Sequence, residues 1–229
     1  MVTAEKFGAK SHGLEASTTA ILEDRWGELI KQAEASRQKA LDLGYDEAVI
    51  FDPKDLVYDE KTWIKCLMGC IHPRSRVCPD QQRLAIPYPA EWNQGKDLQN
   101  LYSVGIAATK WFDPKEYDAA RNVMENKLAV EWEKDAVYSG WYFATVLRFG
   151  GPCKLCLVDL DIQGCPAVNE YGGWCPPEVA PFARPCPEAV GFDVVKSARK
   201  YGTEDFFHIR EHQSTYADKA PFTAWLFID

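Results

Sequence analysis

The chain has 229 residues, 46% of them apolar and 13% aromatic, with eight cysteines and a formal net charge of −8. That length and apolar content suffice for one large domain or two small ones with a real core. The excess of Asp and Glu over Lys and Arg argues against nucleic acid, which needs a clustered cationic surface, and suits docking to a basic partner protein.

No apolar run reaches the roughly 18 residues of a membrane span, and residues 1–13 lack the apolar stretch of a signal peptide. A cytoplasmic location without a membrane span is therefore expected. Thiols there stay reduced, so clustered cysteines point to metal more than to disulfides.

In chain order, residues 1–16 read as a loose polar arm and residues 17–229 as a single domain. Residues 18–43 carry Ile21, Trp26, Leu29, Ile30 and Ala33 at near-helical spacing, and Gly44 closes the predicted helix. Ala48 to Phe51 reads as a short strand, followed by an Asp52-Pro53 turn. A further strand from Trp63 enters a loop with Cys66, Cys70 and Cys78, spaced C-x3-C-x7-C. Residues 80–96 read as linker.

Residues 97–111 and 114–149 are then predicted as helices, with Pro114 in a first turn and a break near Asn126 or Gly140. Residues 192–201 suggest an amphipathic helix ended by Gly202, and residues 222–228 a strand rich in aromatic and β-branched side chains. No repeat of 20–50 residues is present. Several helices, few strands and irregular cysteine loops indicate an α+β fold, with a small sheet and two metal-binding loops.

The stretch from Gly150 to Gly191 holds Cys153, Cys156, Cys165, Cys175 and Cys186 among seven prolines. So many helix breakers, with little apolar periodicity, imply a segment held by something bound to its sulfurs. All eight cysteines fall at 66–78 or 153–186, whereas inert buried cysteines would be scattered. Only Cys153-Lys-Leu-Cys156 is a zinc-knuckle spacing.

Cys78, Cys165, Cys175 and Cys186 each precede a proline, as the last cysteine of a bacterial ferredoxin run does, and eight thiolates match two [4Fe-4S] clusters. The spacing is not that of the ferredoxin run, and structural zinc is the alternative. The expected allocation places one cluster on Cys153, Cys156, Cys165 and Cys175. A second takes Cys66, Cys70 and Cys78 with Cys186 returning to complete it; the alternative is a three-cysteine site with an open iron or a non-cysteine ligand. Lys65, Arg74 and Arg76 flank the first group as cofactor-binding candidates, since cations stabilise an anionic cluster, or as a surface patch.

The blocks Lys65-Cys66-x-x-Gly69-Cys70, Cys78-Pro79, Gly151-x-Cys153-x-x-Cys156 and Ala183-Arg184-Pro185-x-Pro187-Glu188-Ala189-x-Gly191-x-Asp193-Val194 resemble a family of predicted metal-binding proteins of unknown function. The resemblance covers roughly residues 45–229. It implies an iron–sulfur cofactor and an anaerobic setting, and no reaction. This chain departs from the family pattern at Cys186, where a serine is expected, and in the insertion Leu157 to Gly164.

Other residues read as ordinary. His208 and His212 stand four apart without the rest of a zinc-hydrolase motif, and His72 is a loop residue. Trp141, Tyr142, Phe143 and Trp174 read as core or cluster shielding. No serine elbow, phosphate-binding loop or dinucleotide fingerprint is present, and no general acid or base is assigned. The expected function is electron transfer as a subunit or partner of a larger anaerobic redox enzyme. The alternatives are a cluster enzyme with an open Lewis-acid iron and a structural zinc protein.

Overall fold

The computed structural model describes residues 16–59, 61–62, 94–113, 116, 118–148, 153–163, 175–202 and 219–229. Its centre is a four-stranded antiparallel sheet of β1 (Glu47–Phe51), β2 (Val104–Phe112), β3 (Thr145–Leu147) and β4 (Ala220–Ile228), in the order β1-β2-β4-β3. Among the described residues five α-helices accompany it: α1 (Ala16–Asp42), α2 (Gln94–Leu101), α3 (Ala119–Tyr138), α4 (Leu155–Leu160) and α5 (Val194–Tyr201). The fold is α+β, as the sequence predicts.

The two central strands pair along their whole length, Val104 opposite Ile228 through Phe112 opposite Ala220. Both faces are covered. On one, Ile106, Ala108, Ala224 and Leu226 pack with Leu29 and Ala33 of α1 and Ala129, Trp132 and Ala136 of α3. Alanines at the strand and helix positions let these layers approach closely, and the Trp132 indole donates to the Ser36 carbonyl at 2.8 Å.

The other face is aromatic. Trp225 and Phe227 pack with Phe51, Phe192 and Ala198; Tyr201 stacks on Phe51 at 5.1 Å, and its hydroxyl accepts from the Trp225 indole at 2.9 Å.

Most local readings hold. α1 ends where expected, at Gly44 with φ +93°. The 3-10 turn Pro53–Asp55 follows Asp52, whose carboxylate caps it. α5 starts at its Asp193 cap and stops at Gly202, and the last strand is β4.

The helix expected over 97–111 is corrected. Only its first part is helical, within α2, which also takes residues 94–96 from the expected linker; Val104–Phe112 is the central strand β2. Its alanines favour a helix in isolation, but a strand buried on both faces loses the alternation that marks it. α3 begins at Ala119 behind the Asp118 cap, so Pro114 does not open it, and it runs unbroken through Asn126 to a turn at Gly140. β3, only three residues long, has no counterpart among the expected strands.

Gly105 lies opposite Phe51 on one side and Phe227 on the other, and a Cβ there would fall on the Phe51 ring. Gly105→Val should therefore destabilise the fold by about 1–3 kcal/mol through overpacking, seen as a lower urea midpoint at unchanged slope.

Polar groups also lie inside the α1–α3 layer. Glu125 is buried, its Oε1 accepting from Arg121 Nε at 3.1 Å while, among the described residues, neither its Oε2 nor the Tyr45 hydroxyl has a hydrogen-bond partner. Burial raises the Glu125 carboxyl above its ordinary value of 4.5; Lys110 and Arg121 oppose the rise and Asp46 adds to it. The folded state thus holds a proton that the unfolded chain has released, so this group's stabilising contribution falls as pH climbs above 4.5 toward the folded-state value. Relative to wild type, Glu125→Gln should gain unfolding free energy across that rise and then level off. A difference that stays constant with pH in urea titrations would contradict this.

Candidate metal centre

The cysteine segment leaves the sheet at the end of β3 and returns along one side of α3. Cys153 sits just before α4, and Cys156 lies inside its first turn, one residue after the buried Leu155. The left-handed Asp161 (φ +54°) closes α4, and its N–H and that of Ile162 both reach the Cys156 carbonyl. The expected insertion from Leu157 onward is thus partly the helix itself.

The two described Cys-Pro steps each open a turn. After Cys175, the Pro176 carbonyl accepts from Val179 at 3.1 Å and Ala180 at 2.9 Å, leading into the 3-10 turn Ala180–Phe182. After Cys186, Pro187 starts the 3-10 turn Pro187–Val190, which ends at Gly191 with φ +96°. Proline suits a first helical position because its missing N–H would have no partner there, so each cysteine sits immediately before a sharp change of direction.

These turns bring cysteines together. Val123 of α3, Leu155, Cys156 and Val179 form a small apolar cluster, against which Cys153, Cys175, Ile162 and Phe182 pack. The segment therefore carries a core of its own, which corrects the expectation that only bound sulfurs shape it. Cysteines 22 residues apart in sequence, Cys153 and Cys175, share that cluster. Among the described residues no disulfide joins Cys153, Cys156, Cys175 and Cys186, and no group of three or more His, Cys, Asp or Glu side chains converges closely enough to hold a metal ion.

Cys66, Cys70, Cys78 and Cys165 lie outside the described residues, as do Lys65, Arg74, Arg76, His72, His208, His212 and Trp174. So does the strand expected from Trp63.

Charge pins the segment to the sheet. Glu133 is buried on α3; its Oε2 accepts the Val146 N–H of β3 at 2.7 Å, and both its oxygens accept from Arg184. Arg184 also donates to the carbonyls of Pro181 and Ala183. Just past the end of β3, the Arg148 N–H meets the Pro185 carbonyl at 3.0 Å, and Arg148 Nε donates to the Arg184 carbonyl at 2.8 Å. Further along α3, Lys127 pairs with Asp159 of α4 at 2.9 Å, and Lys127 and Lys134 both lie over the Phe182 ring at 5.4 Å.

The far end is fixed as firmly. Tyr58 and Phe192 form an antiparallel bridge, with Asp193 N–H on the Val57 carbonyl at 2.8 Å and Asp59 N–H on the Gly191 carbonyl at 2.9 Å. The buried Ser197 hydroxyl accepts the Val57 N–H at 2.9 Å. The chain entering the first cysteine group thereby runs beside the chain leaving the second.

The donor type suits a thiolate-bound metal in its chemistry: soft sulfur ligands, buried or half-buried, next to short turns. Arg148 and Glu133 were missed in sequence because the groups of the segment that they meet, at Arg184 and Pro185, lie 36 to 51 residues away along the chain. A charged residue inside an otherwise apolar strand or helix face was the available signal. Shielding aromatics are corrected in part: Trp141 packs on the α1–α3 layer, but Tyr142 and Phe143 are 79% and 82% exposed.

Removing one partner of the Glu133–Arg184 pair leaves the other charge uncompensated and, for Glu133→Ala, the Val146 N–H without its acceptor. Glu133→Ala should cost about 3–5 kcal/mol, and Arg184→Met less, because Arg184 is a quarter exposed. Thermal unfolding of both variants and the double variant checks this; independent, additive losses would show that the pair is not coupled.

Among the described residues no helix is long and apolar enough to cross a membrane. Comparison with curated proteins and with solved structures finds no match. The family of predicted metal-binding proteins DUF2284, whose function is unknown, matches residues 49–228, a span that takes in the whole sheet from Val49 onward and both cysteine groups. The resemblance carried by the cysteine and Arg184 blocks is borne out, and the chain belongs to that family.

Proposed function

We propose that this chain is an iron–sulfur protein that passes electrons, as a subunit or partner of a larger redox enzyme in an anaerobic cytoplasm. The observation that carries the reading is the packing of Cys153, Cys156 and Cys175 against one small cluster beneath α3. Membership of a metal-binding family supports a metal, and the Cys-Pro turns and the count of eight thiols favour iron–sulfur over a zinc knuckle.

Cys153, Cys156, Cys165 and Cys175 would hold one cluster. Cys66, Cys70, Cys78 and Cys186 would hold the other. The Tyr58–Phe192 bridge supports that second grouping: Cys66 follows Thr62 by four residues, a reach of at most ~14 Å, and Cys186 precedes Phe192 by six. Bound clusters would supply one-electron couples. The part of the protein is to position thiolates on rigid turns, exclude water with Leu155, Val179 and Phe182, and offer an acidic exterior, at net charge −8, to a basic partner.

Protein purified without oxygen should contain about eight iron and eight acid-labile sulfide per chain for two cubanes, or about four of each for one. Its absorption near 400 nm should bleach with dithionite, and Cys156→Ser should lower the iron content. Colourless protein with stoichiometric zinc would replace this reading with a structural zinc site.

A further inference from the structure

Six large apolar side chains stand exposed among the described residues, and four of them fall where the turn after α3 meets the end of α2. They are Leu101, Tyr138, Tyr142 and Phe143, at 67%, 86%, 79% and 82% exposure. Single exposed apolar residues are ordinary, but a group of them is not. The Tyr102 hydroxyl donates to the Phe143 carbonyl at 2.6 Å, which brings the end of α2, with Leu101, to the turn. Tyr138 ends α3, and just beyond it the Trp141 N–H folds back onto the Ala136 carbonyl at 3.2 Å.

The turn is held in shape from within. The Ala144 N–H meets the Trp141 carbonyl at 2.9 Å, so Tyr142 and Phe143 are its two central residues. Both flanks are anchored inward: Trp141 packs on the α1–α3 layer, and the Tyr102 ring lies 5.7 Å from that of Phe227. Exposed rings on a backbone fixed in this way lose little freedom when they are covered.

The corner is also neutral. Residues 98–109 and 136–147 contain no Asp, Glu, Lys or Arg, in a chain whose net charge is −8. A basic partner recognised through charge finds no acid here, and anionic lipid and nucleic acid are repelled by the chain as a whole. A second copy of the chain meets neither objection. Its matching face is apolar and uncharged, and a twofold contact sets no like charges against each other at its centre.

The area agrees with that occupant. An aromatic side chain offers about 150–250 Å², so three rings at roughly four-fifths exposure supply on the order of 360–600 Å² per copy, before Leu101 is added. Small stable interfaces begin at about 600 Å² per partner.

We propose that this aromatic corner is a homodimer interface, across which Tyr142 and Phe143 of two copies pack about a twofold axis. The dimer is independent of what the cysteines bind.

Sedimentation equilibrium on the full chain, purified without oxygen, tests it. Wild type should dimerise with a dissociation constant of about 10 μM or tighter. The association should hold or strengthen as salt rises, because screening relieves the repulsion between two acidic copies. The double substitution Tyr142→Ser and Phe143→Ser should weaken it by at least about tenfold, with the melting temperature unchanged because both side chains are exposed. Leu101→Ser should weaken it too, and decides the matter where the double variant does not fold. Met124, half-exposed on α3, lies about 21 Å along the helix from Tyr138, so Met124→Ser should leave the dimer intact.

A wild type that stays monomeric at about 100 μM overturns the proposal. So does a dimer that survives the serine substitutions at the corner, which would place the contact elsewhere. A dimer that dissociates as salt rises is held by charge, and overturns it as well.

Discussion

The Glu133 carboxylate is the contact on which the joining of sheet and cysteine segment depends. β3 is an edge strand of three residues, too short to hold its place by pairing alone, and its outward N–H groups would otherwise seek another strand. Glu133 takes the Val146 N–H and the Pro185 carbonyl takes that of Arg148, so α3 and the returning segment cover the edge that β4 leaves exposed. Arg184 then neutralises Glu133 from the segment's side. One buried acid serves as sheet edge, helix anchor and segment clamp, and replacing it with an apolar residue leaves all three unsatisfied.

The rest follows from having both faces of the sheet occupied. The α1–α3 layer is built on alanines and leucines, which permit close approach, and the opposite layer on aromatics, which fill a thicker space with fewer residues. Gly105 is the concession the aromatic layer demands of β2, because Phe51 lies where a side chain would go. The same layer carries Phe192, and through its bridge to Tyr58 it holds residues 57–59 beside the chain that leaves the second cysteine group.

Elements marked by punctuation were legible in the sequence: Gly44, Asp52-Pro53 and Gly202 each stop or start an element where local chemistry says they should. β4 was legible because its side chains are aromatic and β-branched. β2 was not, since Val104 to Phe112 is buried on both sides and has lost the alternation that separates strand from helix, while its alanines argue for the wrong one. The cysteines announced a metal through clustering alone. What sequence did not disclose is which partners meet: Arg184 with Glu133 and Val57 with Ser197 are 51 and 140 residues apart, and only tertiary packing fixes such pairs.

The energetics of the two halves differ in kind. Around the sheet, large apolar side chains are removed from water in two extended layers, and burial on that scale needs no ligand. The small cluster on Val123, Leu155, Cys156 and Val179 buries far less, and the segment leans on α3 through Lys127–Asp159, the Phe182 ring between two lysines, and the Glu133–Arg184 pair. Surface ion pairs such as the first contribute little. The segment's order then depends on charges buried at its seam with the sheet, of which Arg184 has its counterion in Glu133 and Arg148 has none among the described residues. A seam stabilised by charge is one that can loosen without unfolding the sheet beside it.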